Sequence, residues 1–125
     1  MNFSKNLKEI KGDASFRRFF RNTKNNSVFV FAKKDKNRNL LIYDAINKIL
    51  IKNKILAPKL IDQKYKNNHI EIDDLGRETI FKLLKKKKFK KYKIYMDIIK
   101  TLNKVQLIKD KKIKNFENRL YKIQA

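Results

Sequence analysis

The first half of the chain carries short stretches in which apolar and polar residues alternate, separated by segments rich in Asn, Asp and Gly. Alternation of period two predicts β-strands at residues 7–10, 16–21, 27–32, 59–65 and 69–73. Residues 27–32 carry the clearest pattern, since Val and Phe fill them and Asn and Lys bound them. Short turns at 12–15, at 22–26 and at Asn67 and Asn68 would join neighbouring strands, which implies antiparallel pairing.

Between the third and fourth predicted strands the pattern changes to a helical period. The apolar residues that recur there at helical spacing are Ile42, Ala45, Ile46, Ile49 and Leu50. They predict an amphipathic helix from Arg38 to about Lys52, which Pro58 prevents from continuing. After Gly76 the pattern predicts three more helices, marked by Ile80, Leu83 and Leu84, then by Tyr95, Ile98, Ile99, Leu102 and Val105, then by Ile113, Phe116, Leu120 and Ile123. The predicted class is α+β: a sheet of about five strands with one crossing helix, then helices.

Composition restricts the kind of protein. The chain of 125 residues has no cysteine, which excludes a disulfide framework and a thiolate metal site, and a single histidine, His69, which excludes a multi-histidine metal site. No apolar run approaches the roughly 18 residues that span a membrane, and the first residues lack the apolar stretch of a signal peptide. We therefore expect a cytoplasmic protein with no membrane partner.

The net charge of +22 has two interpretations. Lysines that neutralise phosphates bind polyanions, and Phe16, Phe19 and Phe89 lie beside basic residues as in single-strand-binding proteins, so a basic RNA- or ribosome-associated protein is one hypothesis. However, Lys, Asn and Ile, which share A/T-rich codons, make up 58 of the 125 residues, and only six residues are Arg. Apart from the cluster at 85–93 the lysines are dispersed, which favours a solvated surface with weak, non-specific polyanion binding.

Four short segments carry a more specific signal. Residues 12–21 read Gly-Asp-Ala-Ser-Phe-Arg-Arg-Phe-Phe-Arg, residues 57–60 read Ala-Pro-Lys-Leu, residues 70–76 read Ile-Glu-Ile-Asp-Asp-Leu-Gly, and residues 102–106 end in a glutamine. In this order and at this spacing they resemble the aminoglycoside phosphotransferase/choline kinase-like superfamily. The resemblance is closest to the bacterial cell-wall sugar kinases that phosphorylate N-acetylmuramate and N-acetylglucosamine.

The resemblance implies a protein-kinase-like nucleotide-binding N-lobe at residues 1–76 and the first helices of an incomplete C-lobe at 77–125. It also implies ATP and Mg²⁺ as cofactors. The residues that it places at ATP are Gly12, Asp13, Ala14, Ser15, Arg17, Lys33, Asp73, Asp74 and Leu75. Backbone N–H groups of the small-residue turn would cover the phosphates, with Gly12 able to adopt positive φ and Ser15 adding a hydroxyl donor. A plain hairpin turn is the alternative for this segment.

Two further roles follow from the resemblance. A basic residue at the third strand, either Lys33 or Lys34, would hold the phosphates, and the backbone at 73–75 would contact adenine. The crossing helix has no Glu to pair with such a lysine, and Asp44, its only acid, could equally be a surface residue. His69 is expected to begin a strand or lie at the surface, without a chemical role.

The catalytic residues that the resemblance implies are not found. Phosphoryl transfer in this fold needs a catalytic Asp and a later Asn and Asp for Mg²⁺, but the only acids after Gln106 are Asp110 and Glu117. We therefore expect the ATP-binding lobe of a small-molecule, amino-sugar phosphotransferase that is inactive alone and has no catalytic or metal residue of its own. Its partners would be a nucleotide and a separately encoded C-lobe, and a gene fragment, a split enzyme and a degenerate remnant all stay open.

Overall fold

The structure, a computed structural model, describes residues 6–12, 15–86 and 90–122. Asp13, Ala14, Phe89 and Ile123, on which sequence predictions fall, lie outside these residues. The strands of the main sheet are β1 (Leu7–Ile10), β2 (Arg17–Asn22), β3 (Ser27–Ala32), β4 (Leu60–Lys64) and β5 (His69–Asp73). The helices are α1 (Arg38–Lys52), α2 (Ile80–Lys85) and α3 (Lys91–Gln106), and two short strands follow, β6 (Lys112–Lys114) and β7 (Leu120–Lys122).

The five strands form one antiparallel sheet in the order β1-β2-β3-β5-β4. Helix α1 connects β3 to β4, and β5 lies between these two strands. The predicted α+β class, the five strands and the bounds of α1 are confirmed. Within the described residues no helix is both long enough and apolar enough to cross a membrane.

The core lies between α1 and one face of the sheet. Period two places alternate residues of β3 and β5 on that face. The buried residues that meet there are Val28, Val30, Ala32, Leu40, Ile70 and Ile72. Val30, Leu40 and Ile70 have no exposed surface. Burial of each such aliphatic side chain contributes roughly 1.5–3 kcal/mol, so this layer fixes the helix on the sheet.

Asn and Gly mark the sharp turns. Asn26 and Asn68 adopt φ values of 52° and 63°, and Asn tolerates this left-handed region better than most residues. Gly76 has a φ of 101°, a conformation that residues with a Cβ rarely adopt, so the backbone at this position favours glycine. The predicted turns at 22–26 and at Asn67 and Asn68 are therefore confirmed, as is the break at Gly76.

The prediction of a last helix through Ile113, Phe116, Leu120 and Ile123 is wrong. Strands β6 and β7 pair as an antiparallel hairpin. Buried Asn115 organises its turn, because its side-chain oxygen accepts hydrogen bonds from the backbone N–H groups of Glu117 and Arg119, at 2.9 and 3.2 Å. Such local bonds compete with helix formation, and Asn118 completes the turn with a φ of 59°.

Candidate nucleotide site

The residues that the resemblance places at ATP lie at two ends of the sheet. Arg17 pairs with Ala32, next to Lys33, whereas Asn22 pairs with Ser27 and Ser27 with Asp73. Five residues of β2 separate the two ends, which corresponds to roughly 17 Å at about 3.4 Å per residue. A ligand that touches both ends must therefore be elongated and must run along the strands.

At the first end, Gly12 has open surroundings. A Cβ atom placed on Gly12 would meet no heavy atom of the described residues within 4 Å, and its φ is not positive. Gly12 therefore does not use the conformational freedom that the sequence offers. Ser15 is exposed, and its Oγ accepts a hydrogen bond of 3.1 Å from the Arg17 N–H, which leaves the hydroxyl hydrogen available to donate. Asp13 and Ala14 lie outside the described residues.

Arg17 is held over an aromatic ring of α1. Its guanidinium carbon lies 4.9 Å from the centre of the Tyr43 ring, a cation–π arrangement that orients the side chain. Its Nε is buried and has no hydrogen-bond partner among the described residues. A buried donor without a partner costs roughly 1–3 kcal/mol, so this position of Arg17 carries an energetic cost.

The expected lysine and its acidic partner do not come together. Lys33 and Lys34 are exposed, just past β3, and neither forms an ion pair with any described residue. Asp44 is buried rather than at the surface, and its carboxylate lies 3.1 Å from Lys48 Nζ, one helical turn away. This contact is an ion pair without the alignment of a hydrogen bond. The acid of the crossing helix is therefore neutralised by a lysine of the same helix and not by Lys33 or Lys34.

At the second end, Arg21 binds the segment that leaves β5. Its Nε and Nη2 donate to the Asp74 carboxylate at 2.6 and 3.3 Å, and Nη2 also donates to the Gly76 carbonyl at 3.0 Å. The Gly76 N–H donates to the same carboxylate at 2.8 Å. The hydrogen bond from Arg21 holds the pKa of Asp74 below its ordinary value. Sequence reasoning gave Arg21 no role, because its partner lies 53 residues away.

The three predicted residues at this end, Asp73, Asp74 and Leu75, differ in which of their hydrogen-bonding groups remain unused. The Asp73 carboxylate accepts a hydrogen bond of 3.1 Å from the Lys59 N–H, so it ties β5 to the start of β4. Asp74 is bound to Arg21 and Gly76. Leu75 is exposed, and neither its N–H nor its carbonyl makes a hydrogen bond with any described residue. Only the Leu75 backbone therefore offers an unused donor and acceptor of the kind that a base edge needs.

An apolar strip joins the two ends. Arg17, Phe19 and Arg21 lie on one face of β2, because side chains alternate along a strand. Ile10 of β1 pairs with Phe19 of β2. Ile10 and Phe19 are half-buried, and the Phe19 ring meets Tyr43 edge-on, with centroids 6.1 Å apart. Sequence reasoning did not place Phe19 in the nucleotide site, although the alternation of Arg and Phe along β2 could have indicated this face.

In ranges 6–12, 15–86 and 90–122, no three or more His, Asp or Glu side chains group as metal ligands would. His69 begins β5 as expected and is buried, with Nδ1 3.2 Å from the Asn67 carbonyl and its ring beside Phe29. Asn67 belongs to the turn between β4 and β5, and Phe29 belongs to β3.

No family model, curated protein or solved structure matches this chain. Its own geometry defines an α+β protein whose sheet presents an apolar strip with an arginine at each end. Arg21 is neutralised by Asp74, whereas Arg17 forms no ion pair with a described residue, so the strip has an available cation at its Arg17 end.

Proposed function

We propose that this chain is the ATP-binding lobe of a small-molecule phosphotransferase. The observation that carries the proposal is the face of β2 on which Phe19 lies between Arg17 and Arg21. The phosphates would lie at Arg17 and the backbone of residues 12–15, the base would stack over Ile10 and Phe19, and its edge would reach the Leu75 backbone.

The topology supports the same proposal. The element order of three strands, a crossing helix and two strands is that of the N-lobe of the protein-kinase-like fold, which the sequence resemblance implies. No three His, Asp or Glu side chains of the described residues group as metal ligands would, and the resemblance implies that the Mg²⁺ ligands lie in the C-lobe. With one wall of a cleft and no catalytic Asp, we expect weak ATP binding and no phosphate transfer by the chain alone; the amino-sugar acceptor rests on the resemblance.

The test compares two adjacent arginines. Arg17 and Arg18 lie on opposite faces of β2, and Arg18 instead pairs with Glu9 at 3.0 Å. We expect ATP to perturb the amide NMR signals of Gly12, Ser15, Arg17 and Leu75. We also expect Arg17→Gln to weaken ATP binding about tenfold, which corresponds to the roughly 1.4 kcal/mol of one charge-assisted hydrogen bond. Arg18→Gln removes the same charge and should leave the affinity within about twofold. Equal losses, or shifts confined to residues 85–93, would mean plain charge binding.

The alternative, a basic RNA- or ribosome-associated protein, is favoured by one feature. Phe16 is 63% exposed, and Lys36 Nζ lies 4.7 Å from the centre of its ring. Base stacking on such an aromatic residue is worth roughly 1–3 kcal/mol. Single-stranded RNA that binds more tightly than ATP, and loses affinity on Phe16→Ala but not on Arg17→Gln, would replace the nucleotide proposal.

A further inference from the structure

Helices α2 and α3 leave most of their apolar surface uncovered. Neither helix has a buried residue. Between them lies a groove of about 370 Å³, whose apolar lining residues are Ile80, Leu83, Ile94, Ile98 and Leu102. Ile80 is 49% exposed and Leu102 is 55% exposed. A contiguous apolar surface of this kind marks a site of interaction.

The two edges of the groove on α3 differ in charge. At 3.6 residues per turn, Lys93, Lys100 and Lys104 fall side by side on the helix, next to Asp97, which lines the groove wall. Tyr95 and Ile99 form the opposite, apolar edge. None of the three lysines forms an ion pair with a described residue. The groove is therefore apolar inside and positively charged along one side.

We propose that this groove binds an acidic amphipathic helix of another protein. Its apolar side chains would enter between α2 and α3, as in other helix-in-groove interfaces. Its carboxylates would face Lys93, Lys100 and Lys104, with no acid opposite Asp97. This inference does not depend on the nucleotide proposal, since it uses other residues.

Charge and shape select this occupant. Between residues 77 and 107 the sequence has eleven Lys or Arg and two acids, so a second copy of the chain would be repelled. An anionic lipid surface would satisfy the lysines but would not fill a concave groove, because amphipathic helices bind bilayers through a convex apolar face. An acidic helix satisfies both the lysines and the groove.

The probes are two synthetic peptides of roughly 20 residues, long enough to form a helix, with the same leucine stripe and either Glu or Gln at the polar positions. Fluorescence anisotropy with the full chain measures their affinities. We expect the Glu peptide to bind about tenfold more tightly than the Gln peptide, and this advantage to shrink as salt rises.

Two neighbouring substitutions locate the site. Ile98 lines the groove and Ile99 lies on its far edge, so Ile98→Ser should weaken the Glu peptide about tenfold and Ile99→Ser less than about threefold. Circular dichroism checks that both variants keep their helices. Equal affinity for the two peptides, or equal losses in the two variants, would overturn the proposal. Failure of the Glu peptide to bind would also overturn the proposal if Ile98→Ser abolished another interaction of the chain. Loss of self-association in sedimentation would assign the groove to a second copy, and loss of binding to phosphatidylserine vesicles would assign it to a lipid surface.

Discussion

The sheet with α1 and the pair of helices α2 and α3 have similar apolar residues but differ in how these are covered. The residues of α1 that are buried are Leu40, Leu41, Asp44, Ala45, Asn47 and Ile49, whereas α2 and α3 have none. The difference follows from connectivity. Helix α1 joins two strands of one sheet and so lies across its face, whereas α2 and α3 follow β5, the last strand of that sheet along the chain. The first region covers its apolar face with its own chain, whereas the second leaves most of its apolar surface uncovered.

The largest expected effect separates the two regions directly. Ile70→Ala removes a fully buried side chain and should lower the free energy of unfolding by about 2–5 kcal/mol, since it leaves a cavity. Ile99→Ala, the matched change on exposed α3, should change it by less than about 0.5–1 kcal/mol. Urea denaturation measures both, and similar losses would contradict the comparison.

The next effect concerns the link between β2 and the segment after β5. Asp74→Asn should lower the free energy of unfolding by about 1–3 kcal/mol, since the carboxylate is largely enclosed and accepts bonds from Arg21 and Gly76. Arg18→Gln breaks an exposed pair and should have a clearly smaller effect. If the two changes were equal in urea denaturation, the Arg21–Asp74 contact would be no more than a surface ion pair.

The same contact predicts a pH dependence. The folded pKa of Asp74 lies below its ordinary value, so its contribution to stability is complete above about pH 4, the ordinary range of Asp, and is lost as the pH falls through the lower folded pKa. Denaturation of the native chain between neutral pH and pH 2 should therefore show a loss that is smaller in Asp74→Asn. An unchanged pH profile in the variant would contradict this.

A smaller, local effect is expected where the C-terminal hairpin meets α1. Asp110 accepts hydrogen bonds from Lys52 Nζ at 2.6 Å and from the Asn53 side chain at 3.0 Å, and these bonds hold its pKa below the ordinary value. Asp110→Asn should speed amide hydrogen exchange in β6 and β7 while leaving exchange in β3 and β5 unchanged. Exchange that speeds up throughout the sheet would mean that the hairpin is part of the core.

The smallest effect on stability is expected at Gly12. Its φ is not positive and its surroundings are open, so Gly12→Ala should leave the unfolding midpoint unchanged or raise it slightly. If ATP approaches the backbone there, the same change should weaken the ATP-induced NMR shifts several-fold. Unchanged shifts would place the phosphates elsewhere. Gly76→Ala is the contrasting control, since its φ of 101° predicts a loss of stability.

The sequence predicts the sheet and α1 well because their local signals are strong. In β3 a short run rich in Val and Phe, bounded by Asn and Lys, favours a strand, and the helix from Arg38 to Lys52 is interrupted by neither Gly nor Pro. The C-terminal hairpin was missed because the spacing of Ile113, Phe116 and Leu120 fits a helix as well. Phe116 packs on Tyr65, with ring centroids 5.6 Å apart, a contact between distant segments that no local pattern reveals.

The candidate site is predictable only in part for the same reason. Local motifs drew attention to Gly12 and Leu75, and their roles at a nucleotide stay predictions. The contacts of Arg17 with Tyr43 and of Arg21 with Asp74 depend on which strands and helix become neighbours. The buried ion pair of Asp44 with Lys48 was within reach of sequence reasoning, since the two residues are one helical turn apart, but burial of the acid was not.

The two groups that Arg21 binds also limit how the chain can move. Because Arg21 binds both Asp74 and Gly76, the first residues after the sheet are fastened to β2 and move with it as one body. The chain after α3 is also tied back, because Asp110 accepts hydrogen bonds from the side chains of Lys52 and Asn53 at the end of α1. Helices α2 and α3 are therefore connected to the first region at both ends, so any change in their position would have to be accommodated at residues 77–79 and at residues 107–109 together.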